Sequence, residues 1–256
     1  EMWKFFNEAY KVLRDDGVLI VWFTHSDPEA WEGILSALYA SGFVVTKVWT
    51  IRTEMAERPV ATVGGTAFFS SLAIVARKTT EYITTHYNDP STIAEDDQLR
   101  ECILKFLVDA YESAKASKVT SWELYVMCLA GAIAGATRIK NPALEVTPTQ
   151  VSIESTEYDI EEIKELKKFR SQLKYFRRVL YPAAIYLGTT WLLFDSLKSA
   201  GLSKHIIQDI MKADDYTKAY LVLWHVTRYS TEPIIDYDFA EKIFKVMGVN
   251  IDYLVN

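Results

Sequence analysis

Trp3, Phe6, Tyr10 and Leu13 recur at intervals of three and four, which places them on one face of an α-helix. Asp15-Asp16-Gly17 is the turn that ends it. Residues 18–23 form an unbroken apolar run of strand length, the pattern of a strand covered on both faces inside a parallel sheet. Asp27-Pro28 supplies a cap and an N1 proline ahead of a helix carrying Trp31, Ile34, Leu35 and Leu38, and Ser41-Gly42 closes that helix. Residues 43–51 and 69–76 are rich in β-branched side chains, as strands are. Helix, strand, helix, strand, loop, strand is half of a doubly wound sheet, so residues 1–80 are expected to form an α/β domain.

The pattern changes after residue 79. Asn88, Pro90 and several Thr and Asp residues interrupt it, and a linker is expected over 81–97. Beyond it no strand pattern of similar strength recurs, and residues 98–256 read as a helical domain. Helices are expected over 99–116, 122–138, 159–180, 183–200, 204–212, 216–229 and 239–247, with a Pro- and Thr-containing loop over 141–155. Gly131 and Gly135 lie one turn apart beside Ala132 and Ala136. With helical spacing and no strand before them, they read as a close helix contact rather than a phosphate-binding loop. The fold class expected is α/β followed by all-α.

Composition sharpens this only in part. The chain has 256 residues, a length that favours two domains over one, and its balance of 50% apolar and 24% charged residues is that of a folded protein. Its net charge of −6 gives the whole molecule no attraction for nucleic acid, so any DNA contact must come from a local basic surface. Two cysteines, Cys102 and Cys128, both inside apolar helical patterns, exclude a four-cysteine zinc ribbon and read as buried thiols in a reducing compartment. No signal sequence opens the chain and no run reaches the length of a membrane span, so a cytoplasmic protein without membrane contact is expected. A helical pattern already under way at Met2 predicts an architecture begun elsewhere.

Candidate chemistry is sparse. No G-x-S-x-G elbow occurs, neither cysteine has a base partner in sequence context, and no two of His25, His86, His205 and His225 have metal-ligand spacing, so no catalytic residue and no metal site is assigned. His25 follows the 18–23 strand, where open α/β sheets place ligand-binding residues, although His25-Ser26-Asp27 also suits a plain loop and helix cap. The stretch 52–66 is long for a strand connection and holds Arg52, Glu54 and Arg58. Gly64-Gly65 near its end would permit close backbone approach to a ligand, and an ordinary loop is the alternative. The helix 159–180 carries Lys164, Lys167, Lys168, Arg170, Lys174, Arg177 and Arg178. Lys167, Arg170, Lys174 and Arg177 form one positive stripe able to follow a phosphate backbone, or a solvated helix face.

Several short motifs lie in sequence: Phe6-x-Glu8-Ala9-x-Lys11-Val12-Leu13, Gly17-Val18-Leu19-Ile20-Val21 with His25, Glu29-Ala30-Trp31, Gly42-Phe43, Thr53-Glu54-Met55 and Gly65-Thr66-Ala67. On these the chain resembles the large prokaryotic adenine-specific DNA methylases that can also carry a zinc ribbon. Thr217-Lys218-Ala219-Tyr220 and Asp238-Phe239-Ala240 are similar to the helical C-terminal region of that family. The resemblance implies a partial Rossmann-like methyltransferase sheet in residues 1–80 and transfer of a methyl group from S-adenosylmethionine to N6 of a flipped-out adenine. It implies a target-base pocket bordered by His25, Thr53, Glu54, Met55, Gly65 and Thr66. The family's glycine-rich cofactor turn and N/D-P-P-Y loop are not in this sequence, and Asp27-Pro28-Glu29 is no substitute. S-adenosylmethionine is therefore expected only in the complete enzyme and not on this chain alone. The expected partner is an N-terminal methyltransferase portion or a separate chain, with DNA as a further candidate through Lys167, Arg170, Lys174 and Arg177. A half sheet with an open border also predicts pairing with another chain or self-association into an oligomer. The alternative function is a non-catalytic DNA-binding or scaffolding module that keeps a remnant of the methyltransferase fold.

Overall fold

The computed structural model describes residues 2–25, 28–52, 70–78, 81–119, 121–144, 157–199, 201–214, 216–218 and 220–221. Helix α1 (Met2–Val12) leads into strand β1 (Leu19–Phe23), helix α2 (Pro28–Ala40), and strands β2 (Val44–Arg52) and β3 (Ser70–Arg77). The sheet order is β1-β3-β2, and β3 runs antiparallel to both neighbours. Strands β1 and β2 therefore point the same way, joined by α2 across a gap that β3 fills. This is mixed α/β structure, with an antiparallel strand inside what the hydrophobic pattern alone suggests is a parallel sheet.

Register explains where the core lies. On one face Val21, Ile74 and Val48 stand opposite one another, as do Phe23, Leu72 and Thr50. Helix α2 covers this face, with Trp31 edge-on to Phe23 at 4.7 Å between ring centroids and its indole N–H donating to the His25 carbonyl at 2.9 Å. Trp31 is fully buried, and removing such a ring from water stabilises the fold by roughly 2 to 3 kcal/mol. Gly42, at a φ of 92°, ends α2 in the left-handed region and lets Phe43 turn back under Tyr10. The opposite face differs from expectation. Ile20 is 52% exposed and Trp22 59%, so β1 is covered on one face and not on both.

Residues 81–97, read from sequence as a linker, carry the short strand β4 (Ile83–Thr84) and helix α3 (Pro90–Glu95), and Ile93 and Ala94 enter the core. Helices α4 (Asp97–Ala116) and α5 (Ser121–Ala136) follow, then strand β5 (Ile139–Lys140), which pairs in parallel with β4 where the sequence pattern predicts no strand. The two glycines of α5 do set a close helix contact. A Cβ on Gly131 would lie 2.5 Å from the Ala110 Cβ, and one on Gly135 would lie 3.0 Å from the Ile103 Cα. Both α4 and α5 also lie along β2, and buried residues from the sheet and the helices form one contiguous core.

Helix α6 (Glu157–Tyr175) runs through a π-helical stretch, Phe176–Leu180, into helix α7 (Tyr181–Ser199), and helix α8 (Lys204–Met211) follows. Pro182 accounts for the break in register. It has no N–H to donate and its ring crowds the carbonyl four residues back, at Arg178, so the wider turn just before it removes the clash. The expected helices over 216–229 and 239–247 fall almost wholly outside the described residues.

Candidate functional site

The carboxyl ends of the parallel strands β1 and β2 lie at one border of the sheet, beside the amino end of β3. In open α/β sheets this border is where ligands are held. His25 stands there, two residues past β1. Its ring is exposed and lies nearly parallel to Phe23, 6.3 Å between centroids, while its carbonyl is fixed by Trp31. Next to it the Thr24 hydroxyl donates to the Ser71 hydroxyl at 2.5 Å, tying the end of β1 to the start of β3. Arg52 and Ser70 pair across β2 and β3 at the same border. The stretch 53–69 joins them. Its expected site residues Thr53, Glu54, Met55, Gly65 and Thr66, with Arg58 and Gly64, lie outside the described residues.

Among the described residues this border carries an exposed imidazole and a hydrogen-bonded pair of hydroxyls. The bond between Thr24 and Ser71 joins two alcohols, neither of which ionises near neutral pH, so neither is a general acid or base there. The connection from β1 to α2 runs through His25 to Pro28 and contains no glycine, so it cannot bring its backbone against a cofactor as a glycine-rich turn does. No described residue at this border is assigned to S-adenosylmethionine. Among the described residues no group of three or more His, Cys, Asp or Glu could hold a metal ion.

The basic stripe is present on α6 and its continuation. Lys167, Arg170, Lys174 and Arg177 are all exposed. Arg177 is not a free cation, however. Its Nε lies 2.5 Å from Glu32 Oε1 on α2, and the Glu32 side chain is only 14% exposed. A phosphate would have to displace a largely buried carboxylate, so Lys167, Arg170 and Lys174 are the available part of the stripe. At the other end Glu165 pairs with Lys11 of α1 at 3.4 Å, and with both partners about half exposed it contributes at most about 1 kcal/mol. The two pairs fasten the basic helix to the α/β layer.

Other polar groups come together that no sequence pattern announces. The Tyr111 hydroxyl of α4 donates to Asp195 of α7 at 2.9 Å, and the Lys115 ammonium sits 4.2 Å from the Tyr111 ring centroid. Burial, more than the nearby carboxylate, holds this phenol above its ordinary pKa, so it stays protonated and serves as a tie between helices. Lys140 lies 4.0 Å from the Tyr39 ring centroid and 5.0 Å from that of Tyr82, and donates to the Tyr39 carbonyl at 3.3 Å. Burial pushes Tyr39 well above its usual value and Tyr175 up to about 12, which excludes either as a phenolate at neutral pH. The thiols of Cys102 and Cys128 are pushed up by burial as well, so neither is an activated nucleophile. Tyr111 and Asp195 lie 84 residues apart and Lys140 and Tyr39 lie 101 apart, out of reach of any motif. No described helix is long and apolar enough to cross a membrane.

Comparison with protein-family models, curated proteins and solved structures finds no match to this chain.

Proposed function

We propose that the chain is the C-terminal part of an S-adenosylmethionine-dependent DNA adenine N6-methyltransferase, inactive without an N-terminal portion or partner chain. The observation that carries this reading is the sheet. Two parallel strands are joined by a helix, a third strand runs antiparallel between them, and among the described residues nothing pairs with the outer border of β1. On this reading the three strands are one end of a larger doubly wound sheet with an antiparallel strand added, and its remaining strands join beside β1. The motif resemblance around Gly17, His25, Gly42 and Gly65 supplies the chemical identity. On this reading His25 and the stretch holding Thr53, Glu54, Met55, Gly65 and Thr66 border the target base, and the partner holds the methyl donor and the amine-orienting loop. On this reading the residues of this chain bind and orient the base, a contribution that positioning makes to the rate.

The test is reconstitution. The chain mixed with the polypeptide encoded directly upstream of it should incorporate labelled methyl groups into DNA, and the chain alone should neither do so nor bind S-adenosylmethionine by calorimetry. Tight donor binding by the isolated chain, or a reconstituted complex without methyl transfer, would refute the proposal.

The exposed Lys167, Arg170 and Lys174 favour a second reading, a non-catalytic DNA-binding or scaffolding module that uses α6. DNA binding by the isolated chain, with no methyl transfer in any reconstitution, would select it.

A further inference from the structure

Helix α6 is held unevenly along its length. At its carboxyl end the Tyr175 hydroxyl donates to the Tyr87 carbonyl at 3.0 Å, the Phe176 ring lies 4.9 Å from that of Tyr39 on α2, and Arg177 pairs with Glu32. These attachments fall on three consecutive residues, where α6 enters the π-helical stretch. Towards the amino end the hold weakens. Gln172, three residues after Phe169 and four before Phe176, lies on the same helix face as both rings. It is 5% exposed, and its Oε1 has no hydrogen-bond partner among the described residues. A buried amide oxygen without a donor costs stability, and that cost is recovered when the seam takes up water. One turn further on, Phe169 stacks on Trp3 of α1 at 4.8 Å between centroids, with both rings partly exposed. Beyond it comes the exposed pair of Lys11 with Glu165.

Burial follows the same gradient. Of residues 164–174 only Gln172 is buried, whereas every residue from Tyr125 to Ala136 on α5 is buried. The free energy of a local opening rises with the apolar contact it must break, so α6 lies at the low end of that scale and α5 at the high end. The π-helical turn marks where an opening of α6 stops. Phe176, Val179 and Leu180 are buried, so the turn is anchored in the core, and Pro182 follows it directly. A wider turn next to a proline is where a helix bends.

We infer that α6 is a hinged arm: residues 164–173 leave α1 and α2 as a unit, pivoting at the π-helical turn, while residues 175–180 stay in place. Opening carries Lys167 and Arg170 away from the α/β layer and bares Trp3, and it leaves Arg177 on Glu32. The basic stripe is thereby divided into a moving part and a fixed part. This rests on neither reading of the protein's function.

Amide hydrogen exchange on the full chain tests it. A detached helix of this length is marginal in water, so the arm's amides exchange each time it lifts. Amides of residues 167–173 should be protected roughly a hundredfold less than those of residues 128–135. Low urea should hardly speed the arm, because lifting it exposes little surface, and should speed α5 steeply. Gln172→Leu removes the unpartnered oxygen and should slow arm exchange by about threefold to tenfold. Trp3→Ala removes the ring stack and should speed it by about twofold to tenfold. Neither variant should alter exchange at residues 178–181 or 128–135. Four results overturn the inference: arm amides protected as strongly as those of α5, the same urea dependence in both helices, arm exchange indifferent to both variants, or residues 178–181 shifting together with the arm.

Discussion

Asp89 shows how much one short side chain organises. It caps α3, accepting from the Thr92 N–H at 3.1 Å and from the hydroxyls of Ser91 and Thr92. Those bonds, the one from the Ser91 hydroxyl foremost, hold its carboxyl below the ordinary 3.8. A depressed folded-state value means that the cap's contribution is complete above about pH 4 and is lost as pH falls through the lowered value. Asp89→Asn keeps an acceptor but no longer titrates there. The variant should lose less α3 order between pH 4 and pH 2 than the parent, read by amide exchange at residues 91–94. Equal acid sensitivity in the two would mean that Asp89 is not the group responsible. The Asp-Pro-Ser-Thr order of this cap is visible in the sequence, yet the same stretch reads as linker, because turn-forming residues open a short helix as readily as they fill a loop.

Between elements, packing distances decide which substitutions matter. Gly131→Ala would place a methyl 2.5 Å from the Ala110 Cβ and 2.8 Å from the Phe106 carbonyl oxygen, and forcing α4 and α5 apart should cost about 2 to 3 kcal/mol. Gly33→Ala meets nothing within 4 Å on α2 and should gain roughly 0.5 to 1 kcal/mol from lower backbone entropy in the unfolded chain. Urea unfolding of the two variants should therefore move in opposite directions, and a shared direction would contradict this account of the helix contact. Thr137 is the corresponding test at the β2 edge. It accepts from the Val45 N–H at 3.0 Å and donates to the Ala134 carbonyl at 2.6 Å, wholly buried. Thr137→Val keeps the shape and orphans the amide, which should cost about 1 to 3 kcal/mol and speed exchange at Val45. An unchanged midpoint would mean that the hydroxyl is not what closes this edge. Small residues at helical spacing announce the α4–α5 contact in the sequence. Nothing near Thr137 announces its bond, since Val45 is 92 residues away.

For the molecule as a whole, charge and assembly are the open quantities. With a net charge of −6, DNA binding through α6 depends on a few cations. Replacing Lys167, Arg170 and Lys174 together with Ala should weaken any binding and lower the slope of log K against log salt by about 2 to 3, at roughly 0.9 for each phosphate that is no longer neutralised. Arg177→Ala should act differently, destabilising the fold by leaving the largely buried Glu32 carboxylate without its cation more than it lowers the slope. If Arg177→Ala changes the slope as much as any one of the other three, the Glu32 pair is not holding it. The salt series thus separates cations that meet phosphate from a cation that fastens α6 to α2.

The sequence by itself determined the order and kind of most elements, because helical and strand periods, caps and terminating glycines act over a few residues. Trp31, Ile34 and Leu35 had to share a helix face, and Gly42 had to end that helix, whatever the rest of the chain did. Tertiary structure decided which way β3 runs, since residues 70–77 read the same in either direction. It also decided that Ile20 and Trp22 meet water, because an apolar run does not say whether one face or two will be covered. And it decided that Arg177 belongs to Glu32 while its neighbours on the stripe stay exposed, a distinction that charge spacing along one helix cannot carry because the carboxylate comes from another.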